Sequence, residues 1–397
     1  MTAETLPPPR TTVGPIAWLR ENLFAGWFNS LLTVVVGGLL LLVLVQVAGW
    51  ALTEARWGVV TSNLRLFLIG QYPAEQAWRV WLSLAIISTL SGLSAGIFGA
   101  ATRTLGASLA AGQVLIAVLA AASDMGWIAS AALLFNAAIL AAAFVVSLRW
   151  RIPRRALVIL WLVSLPVSFF LLSGLGTAAV PTVGTSLWGG LLLTFLLAIV
   201  GIVLSFPFGV LLALGRRSSL PAVRILSTVY IEVIRGVPLI TILFMADIML
   251  PLFLPGEVRI DRVLRAMGGI TLFSAAYVAE NVRGGLQAIP TGQGEAASAL
   301  GLNTFQTNVF IVLPQALRSV IPANVGLFIS LLKDTTLVVI IGLLELLGIG
   351  RAVLAQSEWF GAQLEVYVFV AAVFFVMCYA MSQASYRLEA SMGVGTR

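Results

Sequence analysis

The sequence predicts an all-α polytopic membrane protein with about ten transmembrane helices. Three observations carry this. Of 397 residues, 60% are hydrophobic and only 10% are charged, whereas a soluble domain is nearer a quarter charged. The apolar residues gather in runs of the length that crosses a hydrocarbon core, about 20 residues. The arginines fall mostly in short connections between the runs rather than inside them.

Residues 1–30 are Pro-rich at first (Pro7, Pro8, Pro9), then mildly amphipathic through Trp18, Leu19, Leu23, Phe24 and Trp27. They show no signal-peptide cleavage pattern and read as a cytoplasmic segment. A first span covers 31–51. Residues 53–79 mix Arg56, Arg65, Glu75 and Arg79 with apolar residues. They read as a long extracytoplasmic (periplasmic) loop with an interfacial helix at 64–69. Four spans follow, near 80–101, 108–123, 126–147 and 155–174. The first of these carries Gly92, Gly96 and Gly99, a spacing that lets helix backbones approach closely. Residues 31–174 thus form an N-terminal membrane extension of about five helices.

A Gly/Thr/Pro loop at 174–187 leads into a span at 188–214, which Pro207 should kink. Arg216, Arg217 and Arg224 mark a basic loop. Spans near 225–250, 264–289, 321–345 and 366–386 complete the set. Both termini then lie on one side. Loops and tails of that side hold fourteen of the 23 basic residues, the opposite loops seven, and Arg235 and Lys333 sit inside spans. The positive-inside rule places both termini in the cytoplasm of the cell.

Several chemistries are excluded. There is no histidine, and the single cysteine, Cys378, lies in an apolar run. A disulfide framework, the usual zinc sites and His-based catalysis are therefore absent. The only lysine, Lys333, is followed by Asp334, so the chain has no Gly-Lys-Ser/Thr phosphate loop. Any ATP and Mg must be bound by a partner. The net charge of +7 reflects topology and gives no reason to expect a nucleic acid.

Charge at membrane depth is costly and marks function. The candidates are Glu232, Arg235, Asp247, Glu280, Arg283, Lys333, Asp334 and Glu345. Glu232/Arg235 and Glu280/Arg283 are three apart on one face, which suits local ion pairs. It equally suits a zwitterion site, with arginine for a carboxylate and glutamate for an ammonium. Arg235, Gly236, Val237 and Pro238 break their helix and expose backbone groups that could hold a polar solute. Lys333, Asp334, Thr335 and Thr336 form a polar cluster that fits either inter-helix contacts or a pathway lining. Asp247 and Glu345, near the outer ends of their spans, read as interface residues.

Residues 290–316 interrupt this pattern. Residues 293–300 form a short helix with Glu295 and three alanines; Gly301 breaks it; 304–313 start a second helix that Pro314 ends. Such an elbow is a handle for a soluble partner. Glu295 either caps its own helix or contacts that partner.

The ordered strings Leu204 to Gly209, Arg235 to Leu239, Ala275 to Gly285 (with Tyr277 and Glu280), Gln293 to Ala297, Leu300 to Leu302, Leu313 to Gln315 and Lys333 to Leu337 resemble the permease domain of polar amino-acid ABC importers. The Glu-Ala-Ala…Gly pattern resembles their coupling loop, the EAA motif. Residues 186–390 would then be a type I (MetI-like) permease core with its last five helices. The extension, with its RWGVVTSNLRLFLIGQYP stretch, looks most like the larger permease of general L-amino-acid importers (AapM-like). This resemblance implies an inner-membrane subunit that is not itself an enzyme. It would pair with a second permease as a heterodimer, with two ATP-binding subunits and with a periplasmic amino-acid-binding protein. Gly294, Glu295, Ala296, Ala297, Leu300, Gly301 and Leu302 would couple to the ATPase. Arg235, Pro238, Tyr277, Glu280, Arg283, Lys333, Asp334 and Thr335 would line the substrate pathway. From the residues alone two rivals remain: an ion-coupled secondary transporter using Glu280, and a membrane scaffold that recruits a cytoplasmic partner.

Overall fold

A computed structural model describes residues 14–150, 152–177, 180–256 and 258–393. Pro7, Pro8, Pro9, Arg10, Arg151 and Arg397 lie outside the described residues. Two compact units form, Met1–Trp57 and Gly58–Arg397.

The first unit holds α1 (Pro15–Asn22) and α2 (Trp27–Thr53). Thr33 Oγ1 donates to the Leu23 carbonyl at 2.6 Å, tying the turn between them. Helix α2 is apolar all round, as a span should be.

The second unit begins with two short helices, α3 (Gly58–Thr61) and α4 (Leu64–Ile69), and continues with the four-helix run α5 (Trp78–Ile97), α6 (Ala100–Ala121), α7 (Gly126–Arg149) and α8 (Arg154–Ser173). Then come α9 (Gly190–Arg216), α10 (Pro221–Arg235), α11 (Leu239–Phe244), α12 (Leu250–Phe253) and α13 (Arg262–Ala288). The chain ends with α14 (Thr291–Ala299), α15 (Thr304–Gln306), α16 (Leu313–Asp334), α17 (Leu346–Leu354) and α18 (Gln363–Met392). No strand occurs among the described residues.

Among the described residues eight helices are long and apolar enough to cross a membrane, nine if α10 and α11–α12 count as one bent span. The sequence suggested about ten. The difference lies in α13. It is 27 residues long, roughly 40 Å, but Arg262, Arg265, Glu280 and Arg283 lower its apolarity. Burial explains why it tolerates them: α13 lies between α9 and α16, and most of its small and aliphatic side chains are buried.

Close approach sets this packing. A Cβ on Gly209 of α9 would stand 2.5 Å from Val278 Cβ, and one on Gly285 of α13 would stand 2.4 Å from Val320 Cγ1. Gly92 and Gly96 act likewise between α5 and α7, where a Cβ would meet the Leu140 carbonyl at 2.2 Å and Ser147 Oγ at 1.9 Å. Gly99 has open space instead and precedes α6. Helix α9 runs on through Pro207 as one element.

The stretch at 58–77 contains the helix expected at 64–69, α4, and packs closely on the helices that follow. Val59, Leu64, Phe67, Ile69 and Tyr72 are buried. Gly190 shows how tightly: its φ is +58°, and a Cβ there would lie 2.3 Å from the Phe67 carbonyl. Hence α4 packs on α9 and α17, and α6 on α18. The extension from residue 58 onward and the later helices are one packed body, with no compact-unit boundary at 174–186.

Asp247 and Glu345 are not plain interface residues. Asp247 bridges Arg262 at 3.2 Å and Arg265 at 3.1 Å, and it sits in a π-helical turn, Met245–Met249. Glu345 is fully buried and caps α17, accepting from Leu347 N at 2.9 Å and Gly348 N at 2.8 Å. Burial of Glu345, which lies beyond the Thr304–Ile341 span, pushes its carboxyl above the usual range.

Candidate functional site

The elbow is built by backbone chemistry. Helix α14 ends at Leu300 in a Schellman closure: Leu302 N donates to the Ala297 carbonyl at 3.1 Å and Gly301 N to the Ser298 carbonyl at 2.9 Å. Gly301 has φ +79° and open space around its Cα, so the left-handed backbone itself, rather than packing, requires glycine. Asn303 then caps the next turn, with a capping box to Gln306. Ala297 is buried and anchors α14 from below, whereas Glu295 and Ala296 are exposed and Gly294 is half-buried. Leu300 is 83% exposed and Phe305 71%. Glu295 makes no cap, so of its two expected uses only an outward one fits the geometry.

Pro314 does not end a second elbow helix. From Thr304 the chain runs on to Ile341 as one 38-residue helical span. A π-helical turn at Thr307–Val312 precedes Pro314, which occupies the first turn of α16. There the missing N–H is tolerated.

Beside the elbow, five charges from three helices converge. Arg283 grips Glu280 with two bonds, Nε at 2.9 Å and Nη2 at 2.5 Å. Arg216 from α9 reaches Glu280 at 3.6 Å and Glu232 at 2.9 Å. Arg235 from α10 reaches Glu280 at 3.5 Å, and its guanidinium lies 5.8 Å from the Tyr277 ring centre. Glu280/Arg283 is therefore a local pair, but Glu232 and Arg235 each bind another helix. The helix ends at Arg235, and the chain turns by 107° between α10 and α11. Pro238 is exposed at the start of α11. Arg216, read from sequence only as part of a basic loop, is a member of this cluster; its place at the last turn of a long apolar run was the available signal.

Three guanidinium groups face two carboxylates, leaving one positive charge in excess. An open groove of about 410 Å³ runs beside them, lined by Glu280, Asn281, Arg283, Gly284 and Ser319 among others. Asn281 Nδ2 donates to Asn324 Oδ1 at 3.0 Å, joining α13 to α16.

Lys333 and Asp334 lie elsewhere. They are about nine residues, roughly 14 Å of helix, beyond Asn324 on α16. Lys333 is exposed and Asp334 half-buried. Thr335 is fully buried and donates to the Leu332 carbonyl at 2.7 Å. No salt bridge joins Lys333 or Asp334 to another residue among those described.

Residues 205–392 match the family described as "Binding-protein-dependent transport system inner membrane component". The inner-membrane amino-acid ABC transporter permease YhdY of Escherichia coli K12 is 38% identical, covering 96% of this chain and 94% of the relative. The chain belongs to the ABC transporter permeases. BztC of Rhodobacter capsulatus, a glutamate/glutamine/aspartate/asparagine transport permease, is 40% identical over 96% of this permease and 95% of its own length. A crystal structure of an amino acid ABC transporter with histidines matches 51% of this permease and 92% of that chain, with 30% identity and a TM-score of 0.46. Membership makes this chain a multi-span inner-membrane transport subunit rather than an enzyme.

Proposed function

We propose that this permease imports L-amino acids from periplasm to cytoplasm, driven by ATP hydrolysis on partner subunits. The observation that carries the reading is the Glu280 cluster that joins α9, α10 and α13, next to an elbow that presents Glu295 and Leu300 outward. A zwitterion suits it: the surplus guanidinium takes the carboxylate, and Glu280 takes the ammonium. YhdY and BztC, by their names, move amino acids, which supports the same class here. Broad L-amino-acid specificity of the AapM-like kind rests on the stretch ending in Gln71, Tyr72 and Pro73.

In this reading residues 290–306 lie in the cytoplasm with both termini. Gly294 to Leu302 form the coupling surface and dock in a groove of one of two ATP-binding subunits, which hold ATP and Mg. Arg235, Pro238, Tyr277, Glu280 and Arg283 line the inner part of the pathway, and Lys333, Asp334 and Thr335 line a part further out. The working core is 186–390. A second, similar permease completes the pathway as a heterodimer, and a periplasmic binding protein delivers the solute.

The test is uptake by the complete complex in proteoliposomes with ATP inside. Glu280→Gln should keep the complex assembled and cut accumulation of labelled amino acids at least tenfold. Wild-type accumulation by that variant would remove Glu280 from the pathway.

A further inference from the structure

Arg79 has no part in that reading. It is the only buried arginine among the described residues, with no exposed surface at all. None of its three side-chain nitrogens makes a well-formed hydrogen bond, and no salt bridge among the described residues reaches it. The acids nearest in sequence do not neutralise it: Glu75 and Asp124 are both exposed, and the next is Glu232. A guanidinium taken out of water without a counter-charge is strongly destabilising. Nor is this one of the arginines that mark the elbow side. Gly174, close to Arg79, opens the connection to α9, whose Thr185 bonds Asp261 at the start of α13, and the elbow follows the other end of that helix.

The surroundings of Arg79 supply donors and no charge to match. Ser83 lies one turn further along the same face of α5; it is 5% exposed and its hydroxyl is unpartnered. Trp188 is 2% exposed, has an unpartnered indole N–H, and packs in the same core cluster as Tyr72, Val80 and Leu172. Arg65 brings a second guanidinium: it donates to the Tyr72 carbonyl at 2.6 Å, while its Nε is unpartnered. The Tyr72 phenol lies beside Arg79, but it is neutral and gives its proton to the Leu172 carbonyl at 2.8 Å. The Trp78 ring centre is 5.8 Å from the guanidinium, and that ring is largely open to its surroundings, where such a contact is weak.

We propose that Arg79 binds a chloride ion, with the Ser83 hydroxyl as its second donor and the Trp188 indole on the same core. The sign of the ligand follows from a buried positive charge among unpaired donors. Its size follows from enclosure. The guanidinium is sealed, and the backbone comes so near that a Cβ on Gly174, whose φ is +83°, would stand 2.9 Å from Nη1. A lipid headgroup, a phosphate ester or a carboxylate carries a substituent that has no way out of such a place, whereas an atomic anion carries none. The ion would tie α5 to Leu172, Gly174 and Trp188, and so hold the extension against the helices that follow. The inference does not depend on the substrate or on the ATPase.

The test is the melting midpoint of the intact permease, purified with the subunits that accompany it, in sodium chloride against sodium gluconate at equal ionic strength. The wild type should melt a few degrees higher in chloride, saturably, and bromide should replace chloride. Ser83→Ala should fold and need about fivefold more chloride for half the effect. Arg79→Gln should not respond to chloride, while Arg318→Gln, which removes an exposed arginine on α16, should respond as the wild type does. Equal midpoints in the two salts, an effect that acetate reproduces, or a chloride response that survives in Arg79→Gln overturns the proposal. Should Arg79→Gln fail to insert, retention of radioactive chloride decides. Saturable retention that bromide displaces and Ser83→Ala weakens supports the site; retention that is absent, or indifferent to Ser83→Ala, overturns it.

Discussion

Arg235 on α10 holds Glu280 on α13 at 3.5 Å, although Glu232 lies only three residues before it on its own helix. Glu232 instead holds Arg216 on α9 at 2.9 Å. The two contacts cross-link three helices through side chains, at the point where α10 breaks. A change in the angle of α10 must therefore change the partners of Glu280.

Glu280 and Glu232 should differ sharply on substitution. Glu280→Gln leaves three guanidinium groups facing one carboxylate, while Glu232→Gln removes a single bridge from a side chain that is 54% exposed, and exposed bridges contribute little. Uptake by reconstituted complexes should fall at least tenfold for the first and less than threefold for the second. Equal effects would contradict the hub role of Glu280.

Gly209→Val should break assembly rather than transport alone. A Cβ at this position meets Val278 Cβ at 2.5 Å and the Ala275 carbonyl at 2.8 Å. Overpacking of this kind costs about 1–3 kcal/mol. A lower melting midpoint of the purified permease is expected, and an unchanged midpoint would mean that α9 and α13 pack differently.

Gly301→Val acts by another route. Nothing lies within 4 Å of the added Cβ, so the cost is the left-handed backbone, about 1–2 kcal/mol. The spans should fold normally while the elbow loses its turn. ATPase activity should then no longer respond to substrate, and Gly301→Asn should retain more coupling than Gly301→Val, since Asn tolerates this backbone. Full coupling in the Val variant would show that the turn has no role.

Glu345 gives a pH dependence. Its carboxyl is raised in the folded chain by burial, against two backbone N–H bonds and Arg351. A raised folded value favours the native state at low pH and loses that contribution as pH rises. The melting midpoint of the wild type should therefore fall relative to Glu345→Gln as pH climbs above about 4.5. Parallel pH curves for the two proteins would contradict this.

The spans, the break at Gly236 and the elbow were legible because each follows from local chemistry: apolar run length, a Gly-Pro break, and a glycine after a short alanine helix. The helix expected at 64–69 forms as α4, but the burial of residues 58–77 was hidden because Arg65 and Arg79 look exposed in sequence. Arg65 instead donates to the Tyr72 carbonyl at 2.6 Å, and Arg79 is fully buried beside Tyr72. The burial of Tyr72 outweighs that arginine and raises its phenol. The true partners of Glu232 and Arg235 were also hidden, since spacing along one helix says nothing about which other helix packs against it. Pro314 looked like a stop because the π-helical turn that accommodates it leaves no mark in the sequence.

The coupling role of the elbow is most directly tested by affinity purification of the permease from its native membrane, wild type beside Leu300→Asp. An ATPase subunit should accompany the wild type and be lost from the variant, whose exposed Leu300 no longer offers an apolar contact. An ATPase that stays bound to the variant would contradict the elbow as the docking site. A permease that purifies alone, and accumulates solute under a proton gradient, would contradict the ATP-driven reading itself.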